Sequence, residues 1–279
     1  MKQHVISAAV AILFMAVVLY FMNTVVLNIV IALLAVMAVY EVLKAAGCIR
    51  PKAMSALCLV TAAVIPFLDF DKEHIILPIA GFGFAFGMML ILLGKFETLR
   101  VEKVGFATFI TIMVPITLSI MVYFRNKYQA DGTALFYILL VFVGAFITDT
   151  GAYLGGRAFG KHKLAPKISP NKTVEGAISG AVLCMVLMPL YCYIYSIISA
   201  NAGTAVEINY LAVICIAPVV AVMAMMGDLS ASVIKRQCGV KDFGSIMPGH
   251  GGVMDRFDSV LFVAPTLLIY AHYLPLIAV

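Results

Sequence analysis

The chain has 279 residues, of which 63% are hydrophobic and 12% charged, with no Trp and a formal net charge of +5. A mean hydropathy of +1.08 excludes a soluble domain and points to a helical membrane protein, whose spans need about 20 apolar residues each to cross ~30 Å of hydrocarbon. The six cysteines (Cys48, Cys58, Cys184, Cys192, Cys215 and Cys238) form no CxxC pair and lack metal-ligand spacing, so neither a disulfide framework nor a zinc site is expected, and nothing supports nucleic-acid binding.

Residues 4–22 follow Lys2 and have the length of a signal sequence, but the next apolar run begins almost at once and no clear small-x-small site precedes it. They read as a first spanning helix. Further apolar segments cover 24–44, 54–69, 76–94, 104–123, 134–156, 174–199, 207–234 and 257–277. The expectation is an all-α, polytopic integral membrane protein with about nine transmembrane helices. The third segment is short and contains Pro66, so it is expected to be tilted, broken or re-entrant. Glu41 and Lys44, three apart near a helix end, read as a pair or as snorkelling groups, and the charged stretch Lys95–Lys103 as a solvated connection. Residues 1–103 are therefore expected to be scaffold, with about four spans, and 104–279 to be the catalytic region.

Nine spans place 16 of the 19 Lys and Arg residues on one side and Lys72, Arg125 and Lys127 on the other. Positive residues favour the cytoplasm, so the N-terminus and the loops after the second, fourth, sixth and eighth spans are expected there, with the C-terminus outside.

Eight of the 33 charged residues crowd into 227–259. An ionised group carried toward hydrocarbon costs roughly 2.5–3.5 kcal/mol, so the cluster needs a chemical reason. Asp228, Ser232 and Lys235 or Arg236 are spaced to share one helix face. Beyond Lys241 and Asp242, a glycine-rich stretch from Gly244 through Pro248, Gly249, His250, Gly251 and Gly252 leads to Asp255, Arg256 and Asp258 at the start of the last span. Glycines before a helix start expose backbone N–H groups and suit phosphate, though this is no Walker loop. Asp255 and Asp258 read either as ordinary helix-start residues or, with Asp228, as an all-oxygen Mg²⁺ site. His250 reads equally as a turn residue or a phosphate contact.

A second set lies earlier. Asp149 and Tyr153 share a helix face, with Gly151, Gly155 and Gly156 leaving room for a ligand or a close helix. Ser169-Pro170-Asn171-Lys172-Thr173 followed by Glu175 reads as a loop and N-cap, or as a set of substrate contacts.

These residues resemble the phosphatidate cytidylyltransferase (CDP-diglyceride synthetase) family. The family pattern runs from Ser232 to Asp258: Ser-x-apolar-Lys-Arg, four residues, Lys-Asp-x-Gly, then Pro-x-His-Gly-Gly-apolar-x-Asp-Arg-apolar-Asp. Asp149 to Gly176 is similar to the family's Asp-x-x-Ala-Tyr and Ser-Pro-x-Lys-Thr-x-Glu-Gly segments; Met247 and Asn171 are the departures. The resemblance implies transfer of a cytidylyl group from CTP to phosphatidate in the bilayer, with Mg²⁺, by a multi-pass protein of the plasma or inner cell membrane, acting at the cytoplasmic face as a homodimer. It implies catalytic roles for Asp228, Asp255, Lys235, Arg236 and Asp258, with Asp228 and Asp255 holding the metal. Substrate contacts are implied for Ser232, Lys241, Asp242, His250, Gly251, Gly252, Arg256, Asp149, Tyr153, Ser169, Lys172, Thr173 and Glu175. The rivals are a CTP-dependent lipid-alcohol kinase, which would release CDP, and a secondary transporter, which would keep its carboxylates near the midplane between repeats that this sequence lacks.

Overall fold

The computed structural model describes residues 13, 15–69, 75–244 and 251–278. The chain forms two compact units, one from 1–126 with 237–256 and the other from 127–236 with 257–279.

In the first unit, α1 (Val25–Ala45) starts at Thr24, whose hydroxyl accepts the Val26 N–H at 3.2 Å. Leu27, Ile31, Ala35, Val39 and Val42 recur at helical spacing and are buried, so one stripe of an almost uniformly apolar helix makes the core. It packs on α2 (Lys52–Val64), which ends in a 3₁₀ turn at Ile65–Phe67. Pro66 sits in that turn, where its missing N–H does no harm, so the segment is broken as expected. α3 (Ile76–Gly94) packs on α2 and is exposed along most of its length, as befits a helix solvated by lipid. α4 (Val101–Tyr128) carries Arg125, which is 8% exposed yet satisfied: its guanidinium donates to Met22 O at 3.3 Å, Thr24 O at 2.8 Å and Asn28 Oδ1 at 2.8 Å. Asn28 in turn donates to Pro66 O at 2.7 Å. One buried cation thus pins the start of α1 to the end of α4.

The second unit is built on α5 (Ala134–Phe159) and α6 (Val174–Asn201), which pack closely along their length. Close approach is possible because Gly155 meets Ser179 and Gly180 meets the Thr148 carbonyl, where a Cβ would collide. Between them, β1 (Lys163–Ala165) and β2 (Ser169–Thr173) form an antiparallel hairpin, with Lys163 opposite Thr173 and Ala165 opposite Ser169. The stretch read as a loop is therefore a strand, while the expected cap is present, Thr173 Oγ1 accepting the Gly176 N–H at 3.1 Å. β3 (Glu207–Ile208) pairs with β4 (Ile277–Ala278) on either side of α7 (Tyr210–Gln237) and the closing helices. Tyr191 and Tyr270 hydroxyls donate to the Phe136 and Ala212 carbonyls, both at 3.1 Å, which satisfies phenols in an apolar interior.

One helix departs from expectation. The last span does not start as one continuous helix: α8 is only Met254–Phe257, Asp258 and Ser259 form a turn, and α9 runs Val260–Tyr273. The Asp258 carboxylate accepts the Ser259 N–H at 2.8 Å, competing with the helical pattern. Gly227 lets α7 approach the Asp258 carbonyl where a Cβ would strike it.

Six helices among the described residues are long and apolar enough to cross a membrane: α1, α3, α4, α5, α6 and α7. The expected segments at 54–69 and 257–277 hold shorter helices, and most of 4–22 lies outside the described residues. The protein is a helical membrane protein.

Candidate active site

Each unit holds its own group of polar residues. In the unit of 127–236 and 257–279, Asp149 on α5 and Asp228 on α7 lie within the last three turns of their helices. Lys172, on β2, reaches Asp228 Oδ2 at 2.6 Å in a partly buried ion pair. Asp149 Oδ2 accepts the Ser259 hydroxyl at 2.7 Å, and Ser259 N–H bonds Asp258, so the turn between α8 and α9 couples the two carboxylates. Asp258 is buried, and its carboxylate lies within electrostatic reach of Asp228 and Asp149 and of the opposing Lys235. Three carboxylates therefore sense one another at the end of an apolar bundle. Such a group is stable as anions only beside further positive charge.

Arg236 points its Nε at the Ile168 carbonyl, 3.1 Å away, holding the hairpin that carries Lys172. Ser232 is buried on α7 and Ser169 is half-buried on β2. Tyr153 stands exposed. Thr173 uses its hydroxyl as the α6 cap, and Glu175 accepts the Lys161 N–H at 3.0 Å, the His162 N–H at 3.2 Å and a 2.6 Å contact from His162 Nδ1. Both residues shape the chain around Lys172.

In the unit of 1–126 and 237–256, Asp255 Oδ2 accepts the Phe243 N–H at 2.9 Å and the Gly252 N–H at 3.0 Å, drawing together the two ends of the glycine-rich stretch. Gly251 has φ +83°, a left-handed backbone that a side chain would strain. Lys241, Asp242 and Arg256 are exposed. His250 lies outside the described residues, as do Ser245 to Gly249. Glu41 was missed: its carboxylate does not pair with Lys44 but accepts the Met254 N–H at 3.0 Å. A Glu at apolar depth was a signal in the sequence, hidden by the nearby Lys44. Ser259 was missed as well, being an inconspicuous neighbour of Asp258.

Among the described residues, no three His, Cys, Asp or Glu side chains converge as a ready-made metal cage. The donors are nevertheless all carboxylate oxygens, and Asp149, Asp228 and Asp258 gather negative charge in one place, so the acidic group fits a hard cation. Mg²⁺ takes one or two carboxylates and completes its shell with water and substrate phosphate, so it needs no such cage.

A family model described as the Cytidylyltransferase family matches residues 2–274. Similar curated proteins include phosphatidate cytidylyltransferases of Staphylococcus epidermidis, 44% identical over 144 residues, and of Staphylococcus saprophyticus, 45% identical over 144 residues, each match covering 52% of this chain and 52% of the relative. A phosphatidate cytidylyltransferase of Bacillus subtilis is 39% identical over 171 residues, covering 61% of this chain and 59% of its own. The match therefore spans little more than half the length of these curated relatives.

Proposed function

This chain belongs to the cytidylyltransferase family, and from that premise we propose that it transfers the cytidylyl group of CTP to phosphatidate, giving CDP-diacylglycerol and pyrophosphate. The observation that carries the reading is the Lys172–Asp228 ion pair beside Asp149 and Asp258 near the ends of long apolar helices. One substrate is a water-soluble polyanion and the other a lipid phosphate, so their meeting place must be polar, charged and in reach of the bilayer. The names of the relatives agree with this choice of acceptor.

In the proposed reaction a phosphatidate oxygen attacks the α-phosphorus of CTP, a new P–O bond forms, the bond from that phosphorus to the α,β-bridging oxygen breaks, and pyrophosphate leaves. No covalent enzyme intermediate is required, so the side chains position charge. Lys172 and Lys235 hold phosphate oxygens, Arg236 fixes the hairpin that delivers Lys172, and Ser232, Ser169 and Tyr153 contribute polar contacts. The exposed Lys241 and Arg256 meet the triphosphate as it arrives from water, with Asp242, His250, Gly251 and Gly252 completing the nucleotide contacts. Asp228 and Asp255 are assigned to Mg²⁺, with Asp258 assisting; when bound, the ion offsets triphosphate charge and stabilises the leaving group.

Residues 104–279 are the catalytic region and 1–103 the scaffold in this reading. The 16-to-3 division of basic residues supports a cytoplasmic site and N-terminus, an outside C-terminus and residence in the cell membrane. The homodimer rests on the family resemblance.

The test is a mixed-micelle assay with phosphatidate, Mg²⁺ and CTP labelled at the α- or the γ-phosphate. Transfer of α-label into lipid with γ-label leaving as pyrophosphate is expected. Transfer of γ-label into a lipid alcohol would establish a kinase in its place.

A further inference from the structure

Glu41 lies on α1, far from the family pattern, and is only 2% exposed. A carboxylate at that depth is costly unless partnered, and its partner lies 213 residues later. Oε2 accepts the Met254 N–H at 3.0 Å, while Oε1 is buried with no hydrogen-bond partner among the described residues. Gly244 and Gly252, the described glycines on either side of 245–250, both stand against this carboxylate, and a Cβ on either would collide with it. From the other direction, Asp255 holds the Phe243 and Gly252 N–H groups. Two carboxylates thus fix the backbone that enters and leaves the glycine-rich stretch, one of them supplied by the scaffold.

We propose that Glu41 is a positioning residue, which holds the backbone at Gly244 and Gly252–Met254 so that Asp255 is placed to hold the Mg²⁺ that would accompany CTP. The proposal rests on the cytidylyl-transfer reading and adds to it a residue from outside the catalytic region. What the geometry demands of position 41 is a hydrogen-bond acceptor of this length and a shape that leaves room for two glycines. Glutamine supplies both; alanine leaves the room but supplies no acceptor.

The experiment uses the full chain in mixed micelles and measures kcat and KM for CTP and for phosphatidate, with hydrogen exchange of the 251–257 backbone as a readout that needs no turnover. Glu41→Ala is expected to lower kcat/KM for CTP about tenfold and to speed Met254 exchange to a similar degree, while KM for phosphatidate stays within about twofold. Glu41→Gln should recover to within about threefold of the wild type, and Gly244→Ala, damaging alone, should cost less than about twofold once Glu41 is alanine, because the collision is gone. Unchanged CTP kinetics and exchange in Glu41→Ala would overturn the proposal, as would equal damage from Glu41→Gln or full additivity with Gly244→Ala. A wild type that transfers no cytidylyl group would overturn the functional reading instead, and the exchange measurement would still decide whether Glu41 holds Met254.

Discussion

Lys172 is the residue on which the electrostatics of the acidic group turn. Its ammonium lies 2.6 Å from Asp228 Oδ2, and Asp228 acts on Asp258, so removing the cation leaves Asp149, Asp228 and Asp258 to repel one another. Lys172→Met should lower kcat by about 10²-fold, the scale of losing one preorganised charge-stabilising group, in a protein that still folds. The assay that checks it is cytidylyl transfer at saturating CTP; a loss under about threefold would remove Lys172 from the machinery. This residue was legible in the sequence because Ser169 to Glu175 is dense in polar types. Glu41 was not, since the residue it serves is 213 positions away and a lysine three positions away offered an easier partner. Thr173 was legible as the cap of the next helix, but Glu175 was legible as polar and not in role, because turn-holding uses the same oxygens as substrate binding.

At the scale of elements, apolar length alone gave the long helices: the expected 76–94 and the observed Ile76–Gly94 coincide, and 24–44 differs from Val25–Ala45 by one residue at each end. Boundaries moved where a distant partner intervened. The eighth segment was expected from 207, but Glu207 and Ile208 pair with Ile277 and Ala278, and α7 begins at Tyr210, with Asn209 Oδ1 accepting the Ala212 N–H at 3.1 Å. The β1–β2 hairpin was hidden because Pro170 and Asn171 are turn formers, and strand geometry there is imposed by Lys163–Ala165. Arg125 makes a prediction at this scale. Three backbone or side-chain oxygens of the α1 start depend on its guanidinium, so Arg125→Met should destabilise the fold by about 2–3 kcal/mol, in the range for hydrogen bonds to a charged group. Thermal unfolding in detergent measures it, and turnover per folded molecule should be unchanged. An unaltered melting temperature would show that the tie is dispensable.

For the whole molecule, the division of charge supports the proposed orientation. A membrane protein with 16 of 19 basic residues on one side of nine expected spans, its acidic group drawn from Asp149, Asp228 and Asp258, is read as working where CTP is present, at the cytoplasmic face. Composition carried the membrane class and the residue pattern carried the family, on which the proposed reaction rests. The partnering of side chains within each unit needed the structure. The measurement that tests the central claim most directly is α-label transfer from CTP to phosphatidate in sealed vesicles of known orientation. Inside-out vesicles should incorporate the label without detergent, and right-side-out vesicles only after permeabilisation. Incorporation from the outer face alone, or none in either orientation after permeabilisation, would contradict the account.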